Sequence, residues 1–287
     1  MTVIVRATVH GAISIVNAIA TGKGSALGIS PKVTAEIELK PGNGNIKYNS
    51  KPSDLFIKNI VKHSLDTKLL KQNDISISLS SEIPIGFGLK SSSAVSSVIS
   101  LACFSIMNDE IDDMKVLKAS IMASRESNVT ITGALDDAAA CYFGGFVLTN
   151  NLEDQLIRRM PAPNDLSVLV LLPHNVTRKN VNNLILMKDL FSEAFNFALK
   201  HEYWKAMNLN GLLTFAILFQ NTKLNRLICS ALENKALAIS ISGNGPSIAV
   251  VGESKDIMKI RDEFDLYGKI LIAKTNNNKA SVEKIIG

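Results

Sequence analysis

Between residues 83 and 94 the chain reads Ile83-Pro84-Ile85-Gly86-Phe87-Gly88-Leu89-Lys90-Ser91-Ser92-Ser93-Ala94. Pro84 closes a preceding run of alternating residues. Gly86 and Gly88 allow backbone torsions closed to other residues and a close approach to a ligand. Three serines then open a helix of small apolar residues expected over 91–107. A helix N-terminus carries unpaired N–H groups and a partial positive charge, which suits a phosphate, and serine hydroxyls add donors and can ligate magnesium. The blander alternative is a serine-capped helix after a glycine turn. A Walker A loop is excluded, because Lys90 follows Leu89 and not a glycine. The dinucleotide alternative, Gly22-Lys23-Gly24-Ser25-Ala26-Leu27-Gly28, lacks the required glycine spacing. It also leads to Pro31 and a strand, where a helix is needed.

Several elements must position that loop. Val33, Ala35, Ile37 and Leu39 alternate with polar residues as a half-buried strand. After the turn Pro41-Gly42-Asn43-Gly44, Ile46-Lys47-Tyr48 is expected as its hairpin partner. Phe56, Ile57, Ile60, Val61, Leu65 and Leu69 recur at helical spacing behind a cap at Ser53 or Asp54. Ile75, Ile77 and Leu79 predict a strand, and further helices are expected over 112–126 and 134–142. Pro161-Ala162-Pro163-Asn164 marks a boundary before an apolar strand, Leu166 to Leu172. Residues 184–234 read as helical, with Leu212, Leu213, Phe215, Ala216 and Phe219 as a buried face. Strands at 237–242, 247–251 and 269–274 and a helix at 255–265 follow. The fold class is α+β, in two domains, 1–160 and 161–287.

The 287 residues are 46% hydrophobic and 20% charged, which excludes disorder, collagen and a disulfide scaffold. Lys and Arg number 31 against 26 Asp and Glu, a net charge of +5. The basic residues form pairs, Arg158-Arg159 and Arg178-Lys179, and not the clustered stripe of a nucleic-acid binder, so no nucleic-acid partner is expected. Three cysteines, Cys103, Cys141 and Cys229, form no C-x-x-C pair, which points to reduced thiols and a cytoplasmic setting. Four scattered histidines give no zinc spacing. No apolar run is long enough for a membrane helix. The apolar N-terminal run is interrupted by Thr8, His10, Ser14 and Asn17, so no signal peptide is expected.

Residues 84–94 resemble the second motif of the GHMP kinases, P-x-x-x-G-L-G-S-S-A-A. Pro84, Gly88, Leu89, Ser91, Ser92 and Ala94 match it, while Lys90 and Ser93 stand where that family has glycine and alanine. Ser242-Gly243-Asn244-Gly245-Pro246-Ser247 is similar to its third motif, in the form found in homoserine kinases. Glu126, Asp136-Asp137 and Gly144-Gly145 resemble its magnesium-binding glutamate, catalytic aspartate and following glycine pair. The first motif departs most. Its usual run is replaced by Ala12-Ile13-Ser14-Ile15-Val16-Asn17-Ala18, and the stretch from Ile15 to Gly24, together with the loop at 88–94 and Thr130-Ile131-Thr132-Gly133-Ala134-Leu135-Asp136-Asp137-Ala138, resembles the archaeal-type shikimate kinases over nearly the whole chain.

That resemblance implies a ribosomal-protein-like N-terminal domain and a ferredoxin-like C-terminal one. It implies ATP-dependent phosphorylation of shikimate to shikimate 3-phosphate, with magnesium; homoserine kinase or another GHMP small-molecule kinase is the alternative. The ATP phosphates would lie on residues 84–93, with the turn Gly243-Asn244-Gly245 nearby, and magnesium on Ser92 and Glu126. Without the resemblance, Glu126 would read as a solvated helix residue paired with Arg125. Lys23 or Lys90 would neutralise phosphate charge, with Lys23 placed among the catalytic residues. Asn17, Thr130, Thr132 and Asp136 would bind acceptor hydroxyls, and Arg178 or Lys179 the acceptor carboxylate. The family's catalytic aspartate follows its glutamate by eleven positions and precedes the glycine pair by seven, and from Glu126 and Gly144 both counts give Asp137. Adjacent helical residues point about 100° apart, so Asp136 and Asp137 cannot serve the same hydroxyl.

Overall fold

Two long strands carry the architecture. β1 (Val3–Val16) and β2 (Lys23–Pro41) pair antiparallel along nearly their whole lengths. The structure is a computed structural model and describes residues 2–49, 53–174, 180–219 and 222–286. Along β1 the buried and less buried positions alternate as far as Val9. From Gly11 to Val16 every position is buried, because helices cover the strand there. Alternation is the signature of a strand with one wet face, and a strand covered on both faces loses it. This is why the apolar N-terminal run gave no strand signal.

The chain continues through β3 (Ile46–Tyr48), α1 (Asp54–Ser64), α2 (Thr67–Gln72), β4 (Asn73–Ser81), α3 (Ser91–Met107), α4 (Asp113–Glu126), α5 (Leu135–Phe143), β5 (Phe146–Asn150) and β6 (Gln155–Met160). Next come β7 (Ser167–Pro173), a 3-10 segment (Val181–Met187), α6 (Lys188–Leu199), α7 (Tyr203–Leu218), α8 (Thr222–Glu233), β8 (Ala238–Ile241), β9 (Ile248–Gly252), α9 (Ser254–Asp265), β10 (Gly268–Lys274) and β11 (Ser281–Ile286). Ser53 caps α1 by accepting from the Phe56 amide, and Asp112 caps α4 from the amides of Met114 and Lys115. Ser96 and Ser120 hydroxyls meet at 2.6 Å and those of Ser64 and Ser100 at 2.9 Å. Small side chains thus let α1, α3 and α4 approach closely above the first sheet.

That sheet has the order β11-β1-β2-β4-β3, with β5 and β6 continuing from the other half of β2. On the edge away from β1, β2 is shared: Lys23–Leu27 pair with β5, and Val33–Pro41 with β4. The expected hairpin of Ile46–Tyr48 with β2 does not form. β3 runs parallel to β4 instead, Ile46 opposite Ile75, because the longer β4 takes the β2 edge. A second, antiparallel sheet has the order β10-β7-β9-β8. Residues 161–166 connect the two sheets, but β11 returns to pair with β1. The second unit therefore does not comprise all of 161–287, and its last strand belongs to the first sheet.

The expected buried face at 212–219 is also corrected. Leu212 is 55% exposed, and the buried stripe of α7 is Ala206, Met207, Asn210, Gly211, Thr214, Phe215 and Leu218. Those positions recur every three or four residues, whereas Leu212 and Ala216 fall on the outer face. Among the described residues no helix is long and apolar enough to cross a membrane. Cys103 and Cys141 are buried, Cys229 is exposed, and all three are free thiols.

Candidate active site

A cleft of about 430 Å³ opens between the loop before α3, the segment 128–137, the end of β1 and the turn at 243–245. Its size is that of a small-molecule site. Gly86 and Gly88 have φ of +83° and +79°, and Gly243 and Gly245 +58° and +70°. At Gly88 a Cβ would collide with the carbonyl of Ser242, so only glycine lets the two turns approach this closely there. The Ser242 hydroxyl donates to the Gly88 carbonyl at 2.8 Å. Lys90 adopts a left-handed torsion, with φ 62° and ψ 27°, at the N-cap of α3. That conformation costs a non-glycine residue about 1–2 kcal/mol, a strain of the kind that collects at functional sites.

The compensating contacts lie at the tip of the Lys90 side chain. Its buried Nζ is 2.7 Å from Asp137 Oδ1 and donates to Ser14 Oγ at 2.8 Å. Ser14 Oγ also accepts from the Gly243 amide at 2.9 Å. Ser14 sits at a bulge where β1 slips against β2, between Ser14 and Val16, and bulges re-aim side chains beside active sites. One ammonium therefore joins β1, the loop before α3 and α5, and through Ser14 the turn at 243–245. Burial works against its charge, but the carboxylates of Asp137 and Asp136 outweigh that and raise its pKa above the ordinary lysine value.

Asp136, beside Asp137 at the start of α5, is 4% exposed and also faces the cleft. Burial, and then the charge of Asp137, push its carboxyl up to about 7. Its Oδ1 accepts from Asn151 Nδ2 at 2.7 Å, and a side chain at Gly24 would collide with it. Thr132 and Thr130 line the same wall.

Residues 56–145 match the GHMP kinases N terminal domain. A shikimate kinase of Methanosarcina acetivorans is 33% identical, over 96% of this chain and 95% of its own length. Another, of Pyrococcus furiosus, is 35% identical over 92% of this chain and 96% of its own length. The chain belongs to the shikimate kinase family of the GHMP kinases. This kinase shares its fold with a homoserine kinase from Cytophaga hutchinsonii, at TM-score 0.73 and 18% identity, covering 98% of this chain and 97% of that one. A mevalonate kinase of Methanococcus jannaschii superposes at TM-score 0.74 and 18% identity, covering 95% and 98%. At such identity the likeness is one of fold.

In this kinase the cleft gathers most of the expected residues. Ile85, Gly86, Gly88, Lys90, Ser91, Ser92 and Ser93 line it, as do Gly243, Asn244, Gly245, Asn17, Thr130, Thr132, Asp136 and Asp137. Pro84, Phe87 and Leu89 do not. Leu89 is buried in the core, and the Phe87 carbonyl accepts from the Ser247 amide at 3.3 Å, so both anchor the loop. Asn17 lines the cleft with its amide already committed, donating to the Gly243 carbonyl at 2.9 Å and accepting from the Ile19 amide at 2.8 Å.

Two expected residues are not brought together with the rest. Lys23 is exposed at the first position of β2, outside the lining, and Lys90 holds the cationic position in its place. Glu126 ends α4 turned towards α1, its carboxylate 2.9 Å from His63 Nε2 and 3.3 Å from Lys62 Nζ. Those partners hold its pKa below the ordinary glutamate value, His63 foremost. Nor does it pair with Arg125, whose guanidinium turns to Asp154, because consecutive helical side chains diverge by about 100°. Arg178 lies outside the described residues. Sequence reasoning missed Ser14 and Asn151. Ser14 had a signal, a hydroxyl inside the apolar run Ala12–Val16, whereas Asn151 had none.

Proposed function

We propose that this kinase transfers the γ-phosphoryl group of ATP to a hydroxyl of shikimate, giving shikimate 3-phosphate and ADP. The observation that carries the reading is the Lys90–Asp137 pair, standing between a glycine-built phosphate cradle and a wall of hydrogen-bonding side chains. The names of the relatives supply the acceptor. In this reading the backbone amides of residues 86–93 and the N-terminus of α3 hold the ATP phosphates. Asp137 accepts the proton of the attacking hydroxyl while its oxygen bonds to the γ-phosphorus and the bond to the β,γ-bridging oxygen breaks. The Lys90 ammonium, 2.7 Å from Asp137 Oδ1, orients that carboxylate and offsets charge developing on the transferred group. Asp136 and Thr132 bind neighbouring hydroxyls.

Magnesium, when bound, would neutralise charge on the ATP phosphates. An ion held mainly by phosphate oxygens and water needs few protein ligands. The exposed Ser92 hydroxyl, in the cleft at the first turn of α3, fits that role, whereas Glu126 is engaged elsewhere. Ser92→Ala is expected to raise the magnesium concentration needed for half-maximal turnover. The free thiols support a cytoplasmic setting. The test of the function is ADP release over a panel of acceptors. Release with shikimate supports it, and release with homoserine or mevalonate but not with shikimate overturns it.

A further inference from the structure

Asn151 follows β5 in the turn towards β6 and is wholly buried. Its side-chain amide is saturated. Nδ2 donates to Asp136 Oδ1 at 2.7 Å and to Thr132 Oγ1 at 3.1 Å. Oδ1 accepts from the Thr149 hydroxyl at 2.7 Å and from the Asp136 amide at 3.3 Å. The orientation of the amide follows from chemistry: the Asp136 N–H can only donate, so the oxygen must face it, and the nitrogen must face the carboxylate. The backbone of Asn151 is tied on both sides. Its N–H donates to the Gly22 carbonyl at 2.8 Å, and its carbonyl accepts from Arg125 at 3.1 Å. The Arg125 guanidinium grips Asp154 with both terminal nitrogens, at 2.6 and 2.8 Å.

We propose that Asn151 is the positioning residue of the acceptor wall, holding the Asp136 carboxyl and the Thr132 hydroxyl at one fixed spacing matched to a pair of neighbouring ring hydroxyls. Thr132 Oγ1 accepts from Asn151 and, at 3.4 Å, from the Ala134 amide, so its own proton is left to donate outward. Asp136 offers an acceptor beside it. A donor and an acceptor side by side are complementary to two adjacent hydroxyls, each of which can take either role. A lone amine or carboxylate would leave one of the two unmatched. Sites built to hydrogen-bond a hydroxyl reject analogues that lack it, because their buried polar groups go unpaired. Asn151 itself, shielded from solvent by these partners, acts only through them.

This inference rests on the functional reading above, and its test separates the two. The acceptor is taken from the ADP-release panel. Failure of shikimate there overturns the function alone, and the Asn151 comparison then runs on the hydroxyl compound that does turn over. Steady-state kinetics of Asn151→Ala should show the acceptor KM raised by roughly tenfold or more, the loss of one or two charge-assisted hydrogen bonds, with the ATP KM changed less than about twofold. Asn151→Ser, which keeps a hydroxyl donor, should lose less, and it serves in the same comparison if the alanine variant does not fold. In an Asp136→Asn, Thr132→Val background the same change should add less than about twofold, because its targets are gone. A parallel rise of both KM values, or the full loss repeated in that background, overturns the assignment.

Discussion

The two walls of the cleft are made of different material. The proposed phosphate wall is backbone: Gly86, Gly88, Gly243 and Gly245 with positive φ, and Lys90 in the left-handed region beside them. The proposed acceptor wall is side chain: Thr132 and Asp136, tied from behind by Asn151, and Asp137, paired with Lys90. A wall of amides recognises what every nucleoside triphosphate presents and tolerates change in side chains that do not touch it. A wall of side chains can be rebuilt one residue at a time. Lys90 belongs to both, with its backbone in one wall and its ammonium in the other.

Breaking that junction should have the largest effect. Lys90→Met removes the ammonium and is expected to lower kcat by roughly a hundredfold to ten-thousandfold, and Asp137→Asn by at least about a hundredfold with the ATP KM nearly unchanged. If Asp136→Asn shows that loss and Asp137→Asn does not, the roles of the two aspartates are reversed. Gly88→Val should act next, and on one wall only. Its side chain meets the Ser242 carbonyl, so the two glycine turns part, and the ATP KM should rise about tenfold or more while the folded state persists by circular dichroism. An acceptor KM that rises instead would reverse the assignment of the walls.

A smaller effect tests Asp136 through stability. Its carboxyl is raised in the folded state, to about 7 from 3.8, so its protonated form favours folding. That contribution is full below the unfolded pKa and is lost as pH rises through the folded one. Thermal melts between about pH 4 and pH 8 should therefore show the Asp136→Asn variant gaining on the wild type as pH rises, and a pH-independent difference would remove the raised carboxyl from the account. The smallest effect belongs to Glu126→Gln. Its carboxylate is taken by His63 and Lys62, and turnover and the magnesium titration should change less than about twofold.

The same division explains what the sequence made legible. Gly86, Gly88, Gly243 and Gly245 announced themselves because a torsion is a local demand met by a local residue type. Asp137 was singled out by the spacing that the GHMP resemblance implies, and it lines the cleft. Glu126 had the right spacing too, but which way a residue at a helix end turns depends on α1, far off in sequence, and His63 decided it. Asn151 carries no local mark, since its partners Thr132 and Asp136 come together with it only when β5 and α5 pack. Strands with one wet face, such as β4, were legible by alternation. β1 was not, because helices bury both its faces beside the cleft. β3 was placed on the wrong neighbour because short strands take their partners from whichever longer strand arrives.

The pairing of β11 with β1 has a consequence for the order of events at the ribosome. Val5 finds its partner in Lys284, so one side of β1 stays open while nearly all of the chain is being made. In sequence the second sheet, whose last strand ends at Lys274, lies as an insertion between β1 and the strand that completes the first sheet. During synthesis the open edge of β1 is a site where another nascent chain could pair. Arg6, which in the finished protein reaches Glu36 on one neighbour and Glu283 on the other, places a charge in the middle of that edge during the interval when a deterrent is needed.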